Sequence, residues 1–205
     1  MRRLVAGLLA LSAAMSVAVF TGAAKADAFE DILKKGVVRI AVPLDVPPFG
    51  SQNEKREPEG FDVELAGMIA KALGVKLETQ QITAGNRIPY LITNKVDIVI
   101  SVMGLTPERA RQIMFTSPYA DTQLAVYGPK ALAVSSADML KNNPGKEFEL
   151  KFAIRRSPAH MGVRMGEHNL VRWLDEFIFF NMMNGEVDRL HQKYLGMKLA
   201  PLPSL

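Results

Sequence analysis

The chain has 205 residues, with 25 Lys or Arg against 21 Asp or Glu, a net charge of +4 and no cysteine. The lack of thiols excludes a disulfide framework and cysteine chemistry. No basic run with interleaved aromatics points to a nucleic-acid partner.

The first 26 residues read as a secretory signal. Arg2 and Arg3 form a positive start, residues 4–20 are an apolar run, and Ala24-Lys25-Ala26 supplies the small residues of a cleavage site. A retained anchor is the competing reading, since a run of 17 apolar residues just spans a thin bilayer. With cleavage the chain starts at Asp27 and holds 179 residues, and removing Arg2, Arg3 and Lys25 leaves 22 basic against 21 acidic groups. No later stretch is apolar enough to cross a membrane. The expectation is a periplasmic monomer without stable membrane insertion.

The mature region opens with a helix over 28–35, ended by Gly36. The β-branched run 37–42 reads as a buried strand. Residues 43–60 hold four prolines and two glycines, a long loop of the kind that carries function. Phe61, Leu65, Ile69 and Leu73 mark a helix over 61–73, and 75–80 is a second strand. A short helix over 86–94 carries Pro89 in its first turn, where proline is tolerated, and 96–101 is a third strand. Strand–helix–strand–helix–strand predicts a parallel, doubly wound α/β sheet. If the second and third strands flank the first, ligands bind beyond the carboxyl ends of the first and third. Those ends are the 43–50 loop and the 101–109 turn.

Beyond them come a strand-like 122–127, a weak region over 128–146, a half-buried strand at 148–154, an amphipathic helix over 167–184 and a short helix over 186–195. Leu170, Trp173, Leu174, Phe177 and Ile178 face inward on the long helix. No internal repeat is present.

The 101–109 turn carries the clearest chemistry. Thr106 is a good N-cap and Pro107 a good first helical residue, which would aim backbone N–H groups at the mouth of the sheet. Arg109 can add a bidentate fork suited to a carboxylate. An ordinary capped helix with a surface arginine explains the same spacing equally well. Phe49, after Pro47-Pro48, is either a pocket wall or a residue tucked onto the core. Asn86 and Arg87 open a helix near another strand end, where Arg87 either meets a second acidic group or is paired structurally. Asp97 reads as structural. His160, His168 and His191 lack metal-ligand spacing. No nucleophile elbow, P-loop or dinucleotide fingerprint occurs, so no metal, cofactor or catalytic residue is expected.

Four motifs carry a resemblance. Gly60-Phe61-Asp62-Val63-Glu64-Leu65-Ala66, then Asn86-Arg87-Ile88-Pro89-Tyr90-Leu91 with Lys95-Val96-Asp97, then Thr106-Pro107-Glu108-Arg109 with Phe115-Thr116-Ser117-Pro118-Tyr119, and a tail including Gly162-Val163-Arg164 and Gly185-Glu186 stand in order. The chain resembles the family 3 periplasmic solute-binding proteins over about 29–137 and 140–205. The resemblance implies a type II periplasmic-binding-protein fold delivering a polar amino acid to an inner-membrane ABC permease. It assigns the ligand α-carboxylate to Arg109, with help from Ser101, Val102, Met103, Gly104 and Thr106, and places a stacking aromatic near Val46, here aliphatic. Arg87 occupies a position used by binders of acidic amino acids without fixing the substrate.

The chain departs from the family in one large respect. Against a two-lobed pattern, 27–127 form the first part of lobe one, 128–150 a crossover with a remnant of lobe two, and 151–205 the return to lobe one. Most of lobe two, including the acidic residue that receives the ligand ammonium, is expected to be missing around 138–141. Affinity and hinge closure should weaken accordingly. The competing readings are a degenerate lobe acting through protein contacts and a dehydratase-like enzyme, which would need a general acid in the cleft.

Overall fold

The structure is a computed structural model that describes residues 27–129, 134–135 and 148–203. The signal segment 1–26, and from the expected lobe-two remnant residues 130–133 and 136–147, lie outside the described residues.

Helix α1 (Ala28–Lys35) starts at Asp27, whose Oδ1 accepts from the Phe29 N–H, and stops at left-handed Gly36. Strand β1 (Val37–Pro43) leads into the long loop. The loop holds a small hairpin, β2 (Ser51–Gln52) with β3 (Pro58–Glu59). Helix α2 (Phe61–Leu73) returns along the sheet to β4 (Lys76–Ile82), and α3 (Arg87–Ile92) leads to β5 (Ile98–Met103). After the single-turn α4 (Pro107–Ala110) come β6 (Ile113–Pro129), β7 (Val134–Ser135) and β8 (Phe148–Arg164), then α5 (His168–Met183) and α6 (Glu186–Leu195).

The sheet order is β4-β1-β5-β8-β6-β7. β1 is parallel to β4 on one side and β5 on the other, so the order reverses between β1 and β5, which meets the condition set for a ligand site at those strand ends. β8 then adds antiparallel to β5, and β6 antiparallel to β8.

Alternation along β1 and β5 divides the interior into two layers. Val38, Ile40, Val42, Ile98 and Ile100 pack with α1, α2, α5 and α6 around Phe61, Leu65, Ile69, Leu170, Leu174 and Leu190. Ala41, Val99 and Met103 face the other way, onto Leu91 and Val96 beside α3, with Ile82 and Ile113. Helices thus cover both faces of the central strands.

The expected short strands at 122–127 and 148–154 are parts of two long ones. β6 and β8 pair from Ile113↔Arg164 to Pro129↔Phe148. The motif residues Phe115 to Tyr119 belong to the same strand as 122–127. Pro118 hid this continuity, because proline interrupts a ladder. Here it sits between two register shifts, where a bulge absorbs it.

Asp97 has the structural role expected of it. Its Oδ2 accepts from the Arg39 backbone N–H at 2.8 Å and its Oδ1 pairs with Arg39 Nη2 at 2.5 Å, tying β1 to the start of β5. At the opposite end of the chain, buried Glu167 accepts from the Ala28 N–H at 2.7 Å and pairs with Arg164. The first bond holds α1 against the start of α5, and the second ties that start to the end of β8.

Candidate functional site

At the carboxyl end of β5 the backbone leaves ordinary strand geometry. Val102 has φ 45°, an outlier for a β-branched side chain. Its N–H donates to Tyr119 Oη at 3.1 Å. Two residues on, the Gly104 carbonyl accepts from Arg109 Nη1 at 2.8 Å. The turn between them is therefore clamped from β6 on one side and from α4 on the other.

Thr106 caps α4 as expected, accepting from the Arg109 N–H at 3.3 Å, with Pro107 in the first turn. The helix itself is shorter than the motif suggests. It ends at Ala110, and β6 begins at Ile113. One turn sums few peptide dipoles, so the expected field of a helix end is small here. The positive potential comes from side chains instead.

Arg109 is half-buried. Arg87, the first residue of α3, is half-buried too, and its Nε has no hydrogen-bond partner among the described residues. Burial lowers the Arg87 pKa, and the nearby Arg109 charge lowers it further; Tyr119, Asp62 and Asp45 oppose this. The two guanidinium groups are thus within Coulombic reach of each other, with Arg109 bonded to the β5 turn. Such an arrangement suits an anion, which relieves their mutual repulsion.

The remaining expected residues separate by role. Ser101 is fully buried on the same side of β5 as Val99 and Met103, and its Oγ has no partner among the described residues. Met103 is a core side chain, so only its backbone is available to a ligand. Phe49 takes the second of its two readings. It is 8% exposed, sits in the main core and meets Phe61 edge-on at 6.0 Å. The Asn86 side chain serves its own turn, Oδ1 accepting from the Thr83 N–H at 2.9 Å. Val46 is half-buried against the main core and closes the loop by bonding Gly50 in both directions.

Two residues quoted only as motif members belong to this region. Tyr119 is fully buried, and its hydroxyl donates to Asp62 Oδ1 at 2.9 Å. Asp62 stands in the first turn of α2 with no exposed surface. Burial pushes its pKa up to about 7, against the pull of the Tyr119 hydroxyl, the Val102 amide and Arg87. Burial also raises Tyr119 well above the usual phenol range. Their positions inside two of the four motifs were the available signal. Their partnership was not, because 57 residues separate them.

Among the described residues no group of three or more His, Asp or Glu is placed to hold a metal ion. Nor is any helix among them long and apolar enough to cross a membrane.

Residues 38–197 match the family model of the bacterial extracellular solute-binding proteins, family 3. The chain belongs to that family. One family relative is the probable histidine-binding protein of Neisseria gonorrhoeae, 34% identical over 142 residues, covering 69% of this chain and 52% of the relative. Another is the ABC transporter arginine-binding protein 1 of Escherichia coli, 28% identical over 155 residues and covering 74% and 60%. A third is an enzyme, the cyclohexadienyl dehydratase of Pseudomonas aeruginosa, 35% identical over 88 residues and covering 43% and 33%. The chain thus spans 52–60% of the length of the first curated relatives it matches. Among solved structures, a P235GK mutant of ArgBP from T. maritima superimposes with a TM-score of 0.71 at 21% identity, covering 83% of this chain and 100% of that one. The fold is that of the type II periplasmic binding proteins.

Proposed function

We propose that this protein binds the α-carboxylate of a polar amino acid at the β5 turn, as a solute-binding partner of an inner-membrane ABC permease. The observation that carries the reading is half-buried Arg109, anchored by the Gly104 carbonyl of the turn, with the half-buried Arg87 within reach of its charge. Ser101, Val102, Gly104 and Thr106 supply backbone and hydroxyl groups around the carboxylate. Arg87 is free to meet a second acidic group. Relatives named for histidine and arginine binding support the ligand class.

Affinity is low in this reading. The chain is short relative to its relatives, and we assign the shortfall to lobe two. A single lobe grips the carboxylate without enclosing the ligand or neutralising its ammonium. Losing one charge-assisted partner costs about 1.5–3 kcal/mol, roughly 10- to 150-fold in Kd. The protein is a monomer that does not close on its ligand. Export follows cleavage after Ala26, and N-terminal sequencing of periplasmic material is expected to begin at Asp27. Family membership supports this location.

Titration calorimetry against L-histidine, L-arginine, L-glutamine and L-glutamate tests the site. Binding in the tens of micromolar or weaker is expected, with at least a tenfold loss in Arg109→Ala. Sub-micromolar affinity for any of them overturns the weak-grip reading. An unchanged Kd in Arg109→Ala overturns the site. Silence across the panel favours a lobe acting through protein contacts. An enzyme is disfavoured because Asp62, the carboxyl poised near neutral pH, has no surface a substrate can reach.

A further inference from the structure

The outlier at Val102 requires something to hold it. A non-glycine residue at positive φ is strained and persists only where its surroundings over-determine it. Here the Val102 N–H donates to Tyr119 Oη, and the same amide acts on the Asp62 carboxyl behind it. The hydroxyl is itself fixed. The Tyr119 ring stacks on Phe61 at 6.0 Å, and Asp62, the next residue, accepts the hydroxyl proton. The α2 start cannot drift, since the Phe61 and Asp62 N–H groups donate to the Pro48 and Phe49 carbonyls at 3.1 and 2.8 Å. Gly60 makes this close return feasible, because a Cβ there would lie 2.5 Å from the Phe49 carbonyl oxygen.

We propose that Asp62 and Tyr119 are positioning residues for the ligand-gripping turn: the Asp62 carboxylate orients the Tyr119 hydroxyl, which holds the Val102 amide and so sets the 102–104 backbone to which Arg109 is clamped. The inference rests on the reading of that turn as the carboxylate site. Neither side chain touches the ligand. Their effect passes through the backbone.

The direction of the relay follows from donor and acceptor capacity. An ionised carboxylate only accepts, so the Tyr119 proton points to Asp62 and an oxygen lone pair is left for the Val102 N–H. A protonated Asp62 can donate to Tyr119 instead, which turns the phenol proton away and disturbs the Val102 bond. The charged and titratable groups around Asp62 are Tyr119 from β6 and Arg87 from α3. Arg87 in turn feels Arg109 and Asp45. His191 of α6 lies edge-on against the Phe61 ring at 5.8 Å. With Asp62 titrating at about 7, the turn is expected to respond to pH in the neutral range.

Amide correlation spectra of the protein from pH 5 to 9, with L-arginine titrations at each end, test the inference. In the wild type the Val102 amide is expected to titrate with one midpoint near 7. Asp62→Asn removes the ionisable group, so it should lose that midpoint and flatten the pH profile of L-arginine affinity. Tyr119→Phe should shift the Val102 amide, speed its hydrogen exchange and weaken L-arginine at least tenfold. A Val102 amide that neither titrates nor responds to Tyr119→Phe overturns the proposal. If Tyr119→Phe does not fold, loss of the Val102 midpoint in Asp62→Asn decides the matter. If no form binds L-arginine yet the Val102 responses appear, the relay stands and the binding reading fails.

Discussion

Ser101 carries a testable stability effect in a single atom. Its Oγ is buried without a partner among the described residues, beside the turn proposed as the carboxylate site. An unmade hydrogen bond of a buried hydroxyl costs about 1–3 kcal/mol. Ser101→Ala should therefore be as stable as the wild type, or about 1 kcal/mol more stable, in urea denaturation without ligand. A loss above about 1 kcal/mol would show that the hydroxyl is satisfied in the folded protein. Arg87 presents the same pattern with a charge. Its Nε is buried without a partner among the described residues, and burial and the Arg109 charge both lower its pKa. Glu64, by contrast, is well served: Lys193, Arg189 and Tyr194 all donate to it, and its pKa falls to about 2 despite partial burial.

Among the elements, the 43–60 loop does the most to place the site. The Val46–Gly50 closure, the Phe49 ring in the core and the two carbonyl bonds to α2 turn a proline-rich connection into a rigid block. Gly50 is the tightest point. A Cβ there would stand 1.8 Å from the Pro43 carbonyl oxygen, and that neighbour is backbone. Gly50→Ala is expected to cost about 3 kcal/mol in thermal or chemical denaturation, at the upper end for overpacking. Gly162→Ala makes a useful contrast, since its closest neighbour, at 2.6 Å, is the flexible Met103 methyl. A smaller loss at Gly50 than at Gly162 would mean the loop is softer than its contacts imply.

At the scale of the whole molecule, two carboxyls of α2 pull stability in opposite directions. Glu64 has a folded pKa of about 2, below its unfolded value of 4.5, so its contribution is present above pH 4.5 and lost as pH falls toward 2. Asp62 has a folded pKa of about 7, above its unfolded value of 3.8, so the folded state prefers the proton. Its contribution is full below pH 3.8 and is lost as pH rises to about 7. Buried His191 acts the other way in the neutral range, because burial lowers its pKa. The difference between wild type and Asp62→Asn isolates the Asp62 share. Measured by denaturation from pH 4 to 8, the variant should gain on the wild type as pH rises. A constant difference would mean that Asp62 does not carry its buried charge across that range.

Much of the fold was legible in local pattern. The helices at 28–35 and 61–73 match the structure to the residue, because a 3.6-residue apolar spacing and glycine caps act within a few turns. The parallel pairing around β1 followed from the alternation of strands and helices, and the structure supplied the order. The long β6–β8 pairing did not, because a bulge at Pro118 can be recognised only from the partner strand. The candidate site divides the same way. Thr106, Pro107 and Arg109 announced themselves at adjacent positions, whereas the length of α4 depended on where β6 had to begin. The sequence by itself determined the capped turn that carries Arg109 and the strand that leads into it. Only the tertiary structure decided what holds that end in shape: Asp62, Tyr119 and Val102 are far apart in the chain, and burial brings them into hydrogen-bond contact and moves the Asp62 pKa.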